Sequence, residues 1–152
     1  MDGFTDHLIA SYRDDVDRSD LLALWQMCGL IHPQNDPHRD IDRKLGAGNG
    51  DIFVVRDPGS QALIAAVMWG YEGHRGSVNY LAVHPEYRGR GLGKKLMLAV
   101  EEKLLSLGCP KLNLMVRSTN TAVLEFYRQL GFVQDQAIPM GKRLIRDEPE
   151  TS

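Results

Sequence analysis

Arg88-Gly89-Arg90-Gly91-Leu92-Gly93-Lys94-Lys95 is the stretch of this chain whose residue types and spacing could do chemistry. Glycine at alternate positions lets the backbone turn tightly and aim several N–H groups at one point. The run lies between a β-like segment, Val78 to His84, and a helix-like segment, Leu92 to Leu107. Unpaired donors and the positive end of the dipole at such a helix start favour a negative ligand. Arg88, Arg90, Lys94 and Lys95 add full charges around it, as a seat for a pyrophosphate or similar anion would. A plain turn with solvated arginines is the alternative, and three glycines at every second position weigh against it. A P-loop does not fit: Arg88 stands five residues before Gly93, and Lys95 follows Lys94 where Ser or Thr is needed. The dinucleotide fingerprint does not fit either, because only Leu92 separates the second and third glycines.

Preceded by Tyr80-Leu81-Ala82-Val83-His84-Pro85-Glu86-Tyr87, the pattern Arg88-x-x-Gly91-x-Gly93 resembles the acetyl-coenzyme A motif of the GNAT N-acetyltransferases. The segment from Asn120 through Ala122, Phe126, Tyr127 and Leu130 to Gly131-Phe132 resembles the family's second motif. Within the superfamily, Gly70 to Ser77, Gly141 to Ile145 and Asn35-Asp36-Pro37 are similar to the bacterial YpeA-like group. The resemblance runs roughly from residue 9 to residue 148.

It implies a GNAT-type fold of the mixed α/β (α+β) class. That fold would be a mostly antiparallel sheet of six to seven strands flanked by about four helices. It also implies an acetyl-CoA-dependent N-acetyltransferase. Acetyl would pass from acetyl-CoA to a primary amine (a protein N-terminus, a lysine or a small amine) by direct attack in a ternary complex, without a metal. By the same resemblance the pyrophosphate sits on Arg88, Gly89, Arg90, Gly91, Gly93 and Lys94. Main-chain groups of Leu81, Ala82 and Val83 pair with the pantetheine arm, and the Val83 N–H polarises the thioester carbonyl. Asn120 is an N-cap and, by resemblance, a ligand to that arm. Tyr127 is the expected general acid and a cofactor contact; an ordinary phenol, with a pKa near 10, holds a proton for a leaving thiolate at neutral pH. A half-buried helix tyrosine is the plain alternative.

The general base is less well marked. Glu72 is the first choice, at a strand end just before the cofactor strand; His74 is the second and Asp36 the third, with a water chain as the remaining route. His32, Asp36, His38, Asp40 and Asp42 match no zinc or calcium spacing and read as a polar loop leading into a helix. An alternative function is a non-catalytic acyl-CoA sensor of the same fold. Turnover with a panel of amines separates the two.

Composition bounds these readings. A chain of 152 residues, 43% hydrophobic and 25% charged, suits one soluble domain over residues 1–152, with 1–6 and 147–152 as flexible tails. The net charge of −2 provides no broad field for nucleic acid or anionic membrane. No apolar run approaches a bilayer span and no secretory pattern opens the chain, so a cytoplasmic location is expected. Cys28 and Cys109 are too few for a disulfide framework. The resemblance allows a homodimer.

The elements that must position these residues follow from pattern. His7 to Tyr12 reads as a strand, and Asp17 or Ser19 caps a helix carrying Leu21, Leu24, Trp25 and Cys28. A loop over His32 to Pro37 leads to a short helix at about Asp40 to Leu45. Strands are expected over Asp51 to Arg56, Ala62 to Tyr71 and Ser77 to His84, then a helix carrying Leu92, Leu96, Val100, Leu104 and Leu107. Lys111 to Val116 is a further strand, and Asn120 opens a helix that Gly131 ends. Two last strands are expected around Phe132 to Ala137 and Pro139 to Ile145.

Overall fold

The computed structural model describes residues 8–148. Five strands, β1 (Ile9–Ser11), β2 (Gly50–Arg56), β3 (Leu63–Tyr71), β4 (Gly76–Val83) and β5 (Leu112–Asn113), form one sheet in the order β1-β2-β3-β4-β5. All neighbours are antiparallel except β4 and β5. Helices α1 (Asp14–Met27), α2 (Pro37–Ala47), α3 (Leu92–Ser106) and α4 (Thr121–Gln129) cover the two faces. Residues 63–70 of the central strand β3 are all buried, so this strand reads as a continuous apolar run.

The faces carry separate cores. Val67, Trp69 and Val78 meet Leu96, Met97 and Val100 of α3 and Tyr127 of α4. Ile52, Val54, Ala66, Met68 and Ala82 meet Leu21, Leu24 and Trp25 of α1 and Ile41 of α2. No helix among the described residues is long and apolar enough to cross a membrane.

The helices begin where local hydrogen bonding closes them. α2 starts at Pro37, ahead of the expected Asp40, because Asp36 caps it, accepting from the N–H groups of His38 (2.9 Å) and Arg39 (3.2 Å). α1 starts at Asp14 rather than at a cap on Asp17 or Ser19; the Asp17 carboxylate reaches back to accept from the Arg13 N–H at 2.7 Å. His7, expected in the first strand, lies outside the described residues.

Among the described residues the sheet has five strands, fewer than the expected six to seven. β4 meets β5 only at Gly76 and Ser77, so residues 114–116 have no strand beside them. The segments 132–137 and 139–145 are not strands either. Pro139 has no N–H to donate, and Val133, Ile138, Met140 and Leu144 are all exposed, with no sheet face beneath them. Residue 147, expected in the tail, is anchored: the Asp147 side chain is 1% exposed and accepts from Arg43 at 2.6 Å.

Candidate active site

The site is built around the end of β4, where the strand stops behaving as a strand. Asn79 pairs with Met68 and Ala82 with Ala66, so Tyr80 and Leu81 together oppose Val67. This bulge rests on Tyr80, whose φ of 54° is left-handed and costly for a residue with a Cβ. The extra residue reverses the phase of the strand. Val78, Leu81 and Val83 pack on the α3 side, while Tyr80 and Ala82 pack on the α1 side. The His84 N–H donates to Ile64 O, which makes Ala65 and Val83 a non-hydrogen-bonded pair and Ala66 and Ala82 a bonded one. Leu81 and Val83 therefore turn their main-chain groups to the open edge, and Ala82 does not. The expectation that all three line the edge is corrected to Leu81 and Val83. The Val83 carbonyl already accepts from Arg88 Nε (3.1 Å) and the Cys28 thiol (3.4 Å).

Immediately beyond, Gly89 (φ 77°) and Gly91 (φ 82°) take the left-handed conformation that turns the chain into α3. Gly91 is the N-cap and has no side chain to occupy the helix end. The first helical bond is Lys95 N–H to Gly91 O, at 3.0 Å, so the N–H groups of Leu92, Gly93 and Lys94 have no helical acceptor. Lys94 is exposed. The Arg90 guanidinium lies 5.1 Å from the centre of the Tyr87 ring, and the Tyr87 hydroxyl bonds Asp57. N–H groups without helical acceptors, the local dipole and bare glycines meet at this helix start, an arrangement suited to an anion.

α4 closes the other side. A Cβ on Gly93 would stand 3.2 Å from Phe126 Cζ and 3.8 Å from Val83 Cγ2, so the start of α3, the end of β4 and α4 converge at this glycine. Tyr127 is 8% exposed, with Phe126 and Phe132 edge-on to its ring at 5.0 and 5.4 Å. Burial pushes its phenol up to about 12, so it carries its proton at neutral pH. Asn120 caps α4, its Oδ1 accepting from the Val123 N–H at 3.3 Å.

Glu72 is not brought to this site. It lies in the turn between β3 and β4, at the opposite end of an eight-residue strand from Val83. At about 3.3 Å per residue that is roughly 20 Å away. Its carboxylate accepts from the N–H groups of His74 (2.7 Å) and Arg75, which hold it below the usual carboxylate range. His74 shares that turn, and Asp36 is engaged as the α2 cap.

In their place the fold brings in Tyr80 and Trp25, to which sequence reasoning gave no role of their own, and Asp40, which it read as part of a polar loop leading into a helix. The Tyr80 ring stacks on Trp25 of α1 (centroids 3.9 Å, planes 12° apart), and its hydroxyl donates to Asp40 of α2 at 2.5 Å. The one legible signal was the spacing of Val78, Leu81 and Val83, in which a step of three interrupts the period of two. Among the described residues, no three His, Cys, Asp or Glu side chains group to hold a metal ion.

The acetyltransferase (GNAT) family model matches residues 18–132. An acetyltransferase of Sodalis glossinidius is 45% identical over 141 residues, 92% of this chain and 97% of that protein. One from Yersinia enterocolitica is 46% identical over 132 residues, 87% of this chain and 92% of that protein. Among solved structures, AAC(6')-Iy with the bisubstrate analogue CoA-S-monomethyl-acetylneamine is similar at a TM-score of 0.74 and 20% identity, over 90% of this chain and 98% of that one. The ribosomal-protein-S18-alanine N-acetyltransferase from Escherichia coli gives 0.68 at 23% identity, over 86% and 79%. These two likenesses show the fold.

Proposed function

The chain belongs to the GNAT acetyltransferase family, and on that footing we propose that it passes the acetyl group of acetyl-CoA to a primary amine by direct attack in a ternary complex. The observation that carries the reading is the convergence at Gly93. There the capless start of α3, the Val83 end of the open β4 edge and Phe126 of α4 come together, and Tyr127, the next residue of that helix, carries its proton. Acetyl-CoA supplies a thioester, an activated acyl group on a thiol leaving group.

The residues of the chain divide the work. The N–H groups of Leu92, Gly93 and Lys94 take the pyrophosphate, with Arg88, Arg90 and Lys94 as counter-charges. Leu81 and Val83 pair with the pantetheine arm as an added strand would, and the Val83 N–H donates to the thioester carbonyl as the amine nitrogen attacks its carbon. Asn120, besides capping α4, contacts that arm. As the C–S bond breaks, Tyr127 gives its hydroxyl proton to the departing sulfur. The amine sheds its own proton to water, and water returns a proton to the Tyr127 phenolate before the next turnover. Glu72 is out of reach, so the acceptor reacts as its neutral fraction, and kcat/KM rises with pH up to the pKa of the acceptor amine.

The catalytic unit is a single domain, and alignment of donor and acceptor on it supplies most of the acceleration. The test combines a thermal shift with acetyl-CoA and thiol release across protein N-terminal peptides, lysine and small amines. A stabilising shift and acetyl-CoA-dependent thiol release with at least one amine are expected. Binding without thiol release from any of them would reduce the protein to an acyl-CoA sensor.

A further inference from the structure

We propose that Tyr80 is a positioning residue of this site, clamped by Trp25 and Asp40 so that the left-handed turn of its backbone holds Leu81 and Val83 to the open edge. The inference rests on the reading that this edge receives the thioester arm.

Several observations point the same way. A tyrosine at φ 54° keeps a conformation that isolated chains avoid, so something outside the strand must hold it there. Two contacts do so, from two different helices. The stack on Trp25 fixes the ring plane, and the bond to Asp40 fixes the ring end. Trp25 is itself fully buried, and its Nε1–H has no hydrogen-bond acceptor among the described residues. The indole is thus placed by stacking and packing rather than by a polar bond of its own. Asp40 is tied in turn to Arg43 at 3.4 Å, and Arg43 to Asp147. The phase reversal at Tyr80 decides which main-chain groups face β3 and which face the edge. Were residue 80 to relax to an ordinary strand conformation, Leu81 and Val83 would turn toward β3, and the edge would lose both.

The experiment compares Tyr80→Phe, Asp40→Ala and the double variant with the parent protein. Tyr80→Phe keeps the ring and its stack, so the fold survives and only the bond to Asp40 is lost. Exchange of the Ala82 amide, which is bonded to Ala66, is followed by NMR without ligand. It should quicken about fivefold in each single variant, the worth of one hydrogen bond, and no further in the double variant because both changes remove the same contact. In turnover, kcat should fall by a similar factor while KM for the amine is unchanged, a split that general loosening of the fold would not give. Unchanged Ala82 exchange, or a double variant equal to the sum of the singles, overturns the clamp. A parent protein that neither binds acetyl-CoA nor releases thiol overturns the functional reading instead, and the ligand-free exchange result still decides the clamp.

Discussion

On the α3–α4 side of the sheet, the start of α3 and the end of β4 present main-chain N–H groups, turned by left-handed glycines and by one left-handed tyrosine. The α1–α2 side is held differently, by side-chain ion pairs. Arg18 bonds Asp14 and Asp42, Arg56 bonds Asp17 and Asp20, and Arg39 and Arg43 gather on Asp147. Main-chain donors suit a ligand that never changes, since no side chain has to be chosen for it. Side-chain ion pairs, by contrast, can be removed one residue at a time without changing the course of the backbone. One half is held by main-chain geometry and the other by side-chain charge.

Substitutions on the two halves should therefore be read out differently. The largest effect is expected for Tyr127→Phe, which removes the proton donor and keeps the ring; kcat should fall about 100-fold while the acetyl-CoA Kd stays near the parent value. An unchanged kcat would take Tyr127 out of the mechanism. Gly91→Ala puts a Cβ on a backbone at φ 82°, at a strain of about 1–2 kcal/mol. Acetyl-CoA affinity, measured by calorimetry, should drop about tenfold.

On the other half, Asp17→Ala leaves the Arg13 N–H and the Arg56 guanidinium without their buried acceptor. Stability in urea should fall by about 1–3 kcal/mol with acetyl-CoA affinity unchanged. Loss of affinity there would break the division between the halves.

The smallest effect concerns Asp147. Arg43 and the Asp36 N–H hold its carboxyl well below the usual range, so the folded state favours the ionised form. The stability this contributes is present above the ordinary carboxylate pKa and is lost as the pH falls below it. Asp147→Asn should flatten the acid side of the Tm profile and leave the neutral-pH Kd for acetyl-CoA alone.

The glycine turn and the starts of α3 and α4 were legible because their causes are local. Alternate glycines, a following helix at 3.6-residue period and an Asn cap act within a few residues, and the structure places α3 and α4 where those signals put them. Glu72 looked apt as a base because it precedes the cofactor strand in sequence. In an antiparallel hairpin the residue before a strand lies at the strand's far end from its last residue, and the turn then uses the carboxylate for its own N–H groups. The two C-terminal segments expected as strands have no ladder to join.

By itself, the order of residues determined the family, the acetyl donor, the helices and the glycine turn, since each depends on neighbours close along the chain. Tertiary structure decided what the end of β4 is. Tyr80 meets Trp25 and Asp40, and Val83 meets Cys28, only after two helices dock on the sheet. The step of three from Val78 to Leu81 hints at the bulge, but the contacts that offset the strain of a left-handed tyrosine come from residues 40 and more positions away.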